Sequence, residues 1–191
     1  SILALFFTAF GLLIGSFLNV VIYRMPRELS IVTPRSSCPE CKHMVTWYEN
    51  IPVLSYVFLK GKCASCKTKI SIQYPLIELL MGFIAFFLAP KSLSFEHLTQ
   101  FVYYFSIMSV FVAHIAIDLE HHLLLDKLNV YLLCIITPFS ILNYPIEHWL
   151  VGGLIGFFGP LFVSVLFLKL RKQEGLGGGD IKLFGVLGII L

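Results

Sequence analysis

Long apolar blocks separated by short polar breaks make up most of this chain. Residues 2–23 carry no charge. At about 1.5 Å per residue, a helix of that length spans the roughly 30 Å of bilayer hydrocarbon. The segment lacks a basic leading region and a small-x-small cleavage site, so a retained helix is expected rather than a removed signal. Residues 24–74 are polar, punctuated by prolines, and hold four cysteines. Apolar runs return at 75–90, 98–117, 128–142 and 149–170, and a further one opens at 181 and stops too soon to cross. Polar breaks fall at 91–97, 118–127, 143–148 and 170–180. This pattern predicts an all-α polytopic membrane protein of about six transmembrane helices, the last one truncated, plus a small loop domain. The expected organisation is a first transmembrane helix at 1–23, a loop domain at 24–74 and a membrane core at 75–191. No internal repeat is evident.

Composition agrees with lipid as the solvent. The chain is 58% hydrophobic and only 13% charged, with a mean hydropathy of +0.87. Soluble domains run about 45–50% apolar and about 25% charged. A net charge of +3 is too small to argue for a nucleic-acid partner. Its distribution says more, because eight of the 14 Lys and Arg lie between Arg24 and Tyr74. Basic loops stay on the cytoplasmic side, which places the cysteine loop there. Alternation then puts 118–127 and 170–180 on the same side.

Four of the five cysteines form two pairs, Cys38-Pro39-Glu40-Cys41 and Cys63-Ala64-Ser65-Cys66, with 21 residues between them. Two C-x-x-C turns supply the four corners of a tetrahedral zinc site, and four thiolates leave no open position, so the expected zinc is structural. A loop of about 50 residues has little core of its own and would draw folding energy from the metal. Two disulfides would use the same residues, but a cytoplasmic location disfavours them. The fifth, Cys134, is expected as a small core residue in its apolar run.

Two aspartates mark the reaction. Asp118 closes one span and Asp180 opens another, both at the same expected face. Ionisable groups at membrane depth are costly and usually functional. Two carboxylates brought close share a proton, so one can activate water while the other protonates a leaving amide. Gly177, Gly178 and Gly179 directly precede Asp180 and allow close backbone approach. Asp126 is expected to cap the next helix, Glu78 to anchor its span at the interface, and His114 to share a helix face with Asp118.

Taken together, the segments Gly15–Arg24, Arg35–Cys41, Trp47–Pro52, Gly61–Cys66, Tyr74–Leu80, Ile117-Asp118 and Gly177–Leu183 resemble the type IV prepilin peptidases, or leader peptidase/N-methyltransferases. The last segment is similar to that family's G-x-G-D-x-K-L motif. The resemblance covers essentially the whole chain. It implies an aspartyl endopeptidase of the bacterial inner membrane, with Asp118 and Asp180 catalytic. It implies that leaders of type IV prepilin-like precursors are cut at the cytoplasmic face, and that the new N-terminus is methylated from S-adenosylmethionine. Gly61 and Lys62 match loop positions linked to methylation in that family. Two departures are Leu125, where a proline is usual, and Glu49, where an aspartate is usual. The family also has further membrane segments beyond the point corresponding to Leu191.

Two other readings compete. A metal-dependent hydrolase could use His114, Asp118 and His122 along one helix face if the helix runs that far. A non-enzymatic membrane adaptor could use the zinc loop to dock a partner. The particular precursors and the oligomeric state are not legible in the sequence.

Overall fold

The computed structural model describes residues 2–172 and 175–190, so Gln173 and Glu174 in the expected 170–180 break lie outside it. Among the described residues, seven α-helices run in order: α1 (Ile2–Arg24), α2 (Leu54–Phe58), α3 (Gln73–Leu88), α4 (Phe95–His121), α5 (Asp126–Asn143), α6 (Ile146–Arg171) and α7 (Gly178–Gly188). No strand is formed among the described residues, only two isolated bridges. The all-helical class expected from the apolar blocks is therefore borne out, and each block has become a helix. Among the described residues, three stretches, Ile2–Arg27, Phe95–His121 and Ile146–Arg171, are long and apolar enough to cross a membrane, while α3 is shorter.

Helix ends differ from the apolar blocks in an informative way. The expected turn at 118–127 is mostly helical: α4 runs on to His121, and α5 starts at Asp126. Only four residues, 122–125, connect them. Apolar patterning marks where lipid contact ends, whereas backbone hydrogen bonding carries a helix beyond it into the polar zone. Likewise the glycine run does not stay a loop throughout, because α7 starts at Gly178.

The chain divides into two compact units, residues 1–117 and 118–191. In the first, α1 lies against α3 through small residues. A Cβ added at Gly11 would stand 2.5 Å from Ala85 Cβ, and one at Gly15 would stand 2.7 Å from Glu78 Cα. Gly11 and Gly15 form a G-x-x-x-G pair, a spacing legible in the sequence that the apolar pattern alone does not flag. Rings close the other flank of α1: Phe7 and Phe101 lie 4.4 Å apart edge-on, and Phe101 stacks on Phe105 at 5.1 Å.

In the second unit, α6 and α7 cross through the same device. Gly156 on α6 meets Gly188 on α7, where an added Cβ would come within 3.1 Å of the partner's Cα. No residue of α6 is fully buried: beyond the seam with α7 its apolar surface faces outward, as lipid solvation permits. Cys134 departs from expectation: it is exposed on α5 rather than packed in a core. Without water to exclude it, a small apolar residue gains nothing from an interior position there.

Candidate active site and metal centre

The cysteine loop is built from two copies of one backbone turn. In the first, the Cys38 carbonyl accepts from Lys42 N–H at 3.0 Å, and Cys38 N–H donates to the His43 carbonyl at 2.9 Å. In the second, the Cys63 carbonyl accepts from Lys67 N–H at 3.2 Å, and Cys63 N–H donates to the Thr68 carbonyl at 2.9 Å. Lys42 and Lys67 both take a left-handed backbone, at φ +59° and +62°. Each turn is closed by a bridge, Ser37 with Met44 and Lys62 with Lys69. The loop thus contains a structural repeat that sequence comparison within the chain does not reveal, since little beyond the cysteines is shared.

The turns face each other through sulfur. All four Sγ atoms lie within 4.8 Å of one another. Cys38 and Cys66 are 3.8 Å apart, and Cys41 and Cys63 are 3.9 Å apart. Sulfurs about 2.3 Å from a tetrahedral zinc are separated by about 3.8 Å, so the donor set fits that ion. A disulfide needs about 2.05 Å and is excluded by the same separations. Hydrogen bonding with the Thr68 hydroxyl and backbone lowers the pKa of the Cys66 thiol to about 6, towards the thiolate that a metal requires.

Around this centre the loop is held by local polar contacts. The Glu49 carboxylate accepts from Thr46 N–H at 2.8 Å and meets His43 Nε2 at 3.2 Å. Thr46 and, less strongly, His43 hold its carboxyl below the usual carboxylate range. Gly61 has φ +65°, and Tyr56 lies 2.9 Å from where its Cβ would be. Gly61 N–H also donates to the Tyr56 carbonyl at 2.8 Å, and its own carbonyl accepts from Ile70 N–H. Gly61 and Lys62 therefore have conformational duties in the turn beside Cys63.

Glu78 fastens this loop to the helices. It is buried at the start of α3, and its Oε2 accepts from Val53 N–H at 2.7 Å. Val53, a β-branched residue at φ +60°, is held there just ahead of α2. Nearby, buried Asn19 on α1 donates from Nδ2 to the Tyr74 carbonyl at 3.0 Å. Glu78 was expected as an interfacial anchor; its partner is instead a backbone amide of the loop.

The two aspartates both belong to the second unit. Asp118 is exposed in the last turn of α4, and Asp180 is half-buried in the first turn of α7. Asp180 Oδ2 accepts from Gly177 N–H at 3.2 Å, so the carboxylate reaches back over its own helix start. Gly179 lies against the connection that follows Asp118: a Cβ there would be 2.8 Å from Leu124 Cβ and 3.1 Å from the Leu124 carbonyl. Asp126 does not cap α5; Leu125 is the cap residue and makes no side-chain bond. Its carboxylate accepts instead from Lys182 Nζ on α7 at 2.7 Å.

The alternative grouping of His114, Asp118 and His122 loses its geometry. It requires α4 to continue through His122, but the helix ends at His121 and His122 turns left-handed at φ +54°. His114 is buried. Among the described residues, the four cysteines form the one grouping placed to hold a metal ion.

A helical membrane protein with a four-cysteine loop, one aspartate in the last turn of α4 and one in the first turn of α7, is thereby defined. Sequence comparison then gives its family. The Bacterial Peptidase A24 N-terminal domain matches residues 9–92, and the Type IV leader peptidase family matches residues 103–191. The chain belongs to the type IV leader peptidase family. A prepilin leader peptidase/N-methyltransferase of Bacillus subtilis is 35% identical over 182 residues, 95% of this chain and 71% of the relative. One from Vibrio cholerae is 36% identical over 199 residues, 97% of this chain and 76% of the relative. One from Myxococcus xanthus is 38% identical over 190 residues, but the chain spans only 56% of that protein's length. No solved structure matches the chain.

Proposed function

We propose that this chain is the body of a membrane aspartyl endopeptidase that removes the leader from type IV prepilin-like precursors and methylates the new N-terminus. The observation that carries the peptidase half is the seating of Gly179, next to Asp180, against Leu124, six residues after Asp118. That contact packs the start of the Asp180 helix against the connection that follows the Asp118 helix. In the reaction, one carboxylate takes a proton from water as it attacks the scissile carbonyl. The other gives a proton to the leaving amide nitrogen. Gly177 N–H already orients one oxygen of Asp180, which leaves the second free to face water or substrate.

Zinc held by Cys38, Cys41, Cys63 and Cys66 would be structural, because four thiolates complete its coordination. We place this loop and both aspartates at the cytoplasmic face, on the strength of the eight basic residues between Arg24 and Tyr74. S-adenosylmethionine would supply the methyl group. Gly61 and Lys62 are the residues proposed for that step by family likeness, and their turn-forming contacts give them a second reason to be where they are. The division into a first helix at 1–23, a loop at 24–74 and a peptidase core at 75–191 follows the same reading.

The test is incubation of the purified protein with a precursor carrying a short basic leader before a hydrophobic stretch. Mass spectrometry should show loss of the leader, and an added methyl group when S-adenosylmethionine is present. An intact precursor under conditions where the protein retains zinc would reject the peptidase reading and favour the adaptor.

A further inference from the structure

The ion pair between Lys182 and Asp126 has no part in the reaction just described, and its placement is specific. Lys182 lies two residues after Asp180 on α7, and Asp126 is the first residue of α5. Their side chains meet at 2.7 Å, tying the start of α7 to the start of α5. The Gly179–Leu124 contact joins the same two segments from one turn earlier. Two independent ties therefore hold the Asp180 turn against the connection that begins four residues after Asp118.

We propose that Asp126 and Lys182 are positioning residues, a clamp that sets the approach of the Asp180 carboxylate to Asp118; the proposal rests on the aspartyl peptidase reading. The two side chains are 61% and 51% exposed, so the pair contributes little to stability. Geometry is where it acts. A displacement of about 1 Å at a reacting group can cost on the order of 100-fold in rate. Four residues separate α4 from α5, and α7 is only 11 residues long. Asp180 sits in the first turn of α7, where helix ends fray unless something fixes them. The ammonium of Lys182 also lies at the negative-preferring start of α5, where Asp126 answers the helix dipole and neutralises it at once.

Because the pair works by charge and reach, exchange of its partners should restore what single changes remove. Asp126→Lys, Lys182→Asp and the double exchange would be compared with wild type in membranes, with zinc content and recovery measured in each. The expected result is a kcat lower by roughly 10- to 100-fold in each single variant, with KM within about threefold of wild type. The double exchange should recover to within about fivefold of wild type, and Lys182→Arg should stay near wild type. If a reversed charge prevents insertion, Asp126→Asn and Lys182→Met decide on the same kcat criterion. Single variants at wild-type rate, or a double exchange no better than the singles, would overturn the clamp. Asp118→Asn in the same assay separates the two claims: if it still cleaves, the aspartyl reading itself has failed.

Discussion

Gly179 and Leu124 are in contact so close that no side chain fits between them: a Cβ on Gly179 would lie 2.8 Å from Leu124 Cβ. The same Cβ would lie 3.1 Å from the Leu124 carbonyl, which cannot swing aside as a side-chain tip can. The glycine before the second aspartate is thus required by approach of another backbone segment, not by loop flexibility. Gly178, its neighbour, has nothing within 4 Å of an added Cβ. Gly179→Ala should lower cleavage by about tenfold or more, while Gly178→Ala should leave it near wild type. Initial rates on one precursor decide between them.

Metal removal should unfold the loop rather than abolish a catalytic ion. Structural zinc supplies about 10–16 kcal/mol in small cysteine and histidine domains. One zinc per chain is expected by elemental analysis, and Cys63→Ser, at the buried corner of the cluster, should lose it. Limited proteolysis of the chelated protein should then cut within residues 24–72 and spare the membrane helices. Cuts confined to other segments would contradict a zinc-built loop.

The Glu78–Val53 bond makes a separate prediction. Glu78→Ala leaves the Val53 amide without its buried acceptor, at a cost of about 1–3 kcal/mol. Glu78→Gln keeps an acceptor oxygen and should cost less. Thermal unfolding in detergent, followed together with proteolysis near residue 53, would show the order Ala worse than Gln worse than wild type.

Glu49 sets a pH dependence in the loop. Its carboxyl is held below the ordinary value of 4.5, chiefly by the Thr46 N–H. A lowered carboxylate stabilises the folded loop above its ordinary value, and the contribution fades as pH falls through the lowered one. The Thr46 amide resonance should therefore titrate with a midpoint below 4.5 in wild type and show no such step in Glu49→Gln.

Much of this architecture can be read from residue order. Unbroken apolar runs mark every long helix because lipid demands both hydrophobicity and internal backbone bonding. The C-x-x-C spacing marks the metal centre because two thiolates must share one turn. Other features depend on tertiary pairing. Nothing in the local sequence shows that Lys182 reaches Asp126, 56 residues away, or that Glu78 accepts from Val53. The end of α4 at His121 is equally hidden, since His121 and His122 are the same residue type and differ only in backbone hand. Gly11 and Gly15 could have been found from their spacing, which is that of close helix crossings.

Cleavage of a purified prepilin-like precursor by wild type, Asp118→Asn and Asp180→Asn, with zinc content checked in each, is the most direct measurement. An aspartyl dyad predicts that both variants insert in the membrane and retain zinc yet lose cleavage by at least about 1,000-fold. Near wild-type cleavage by either variant would contradict it.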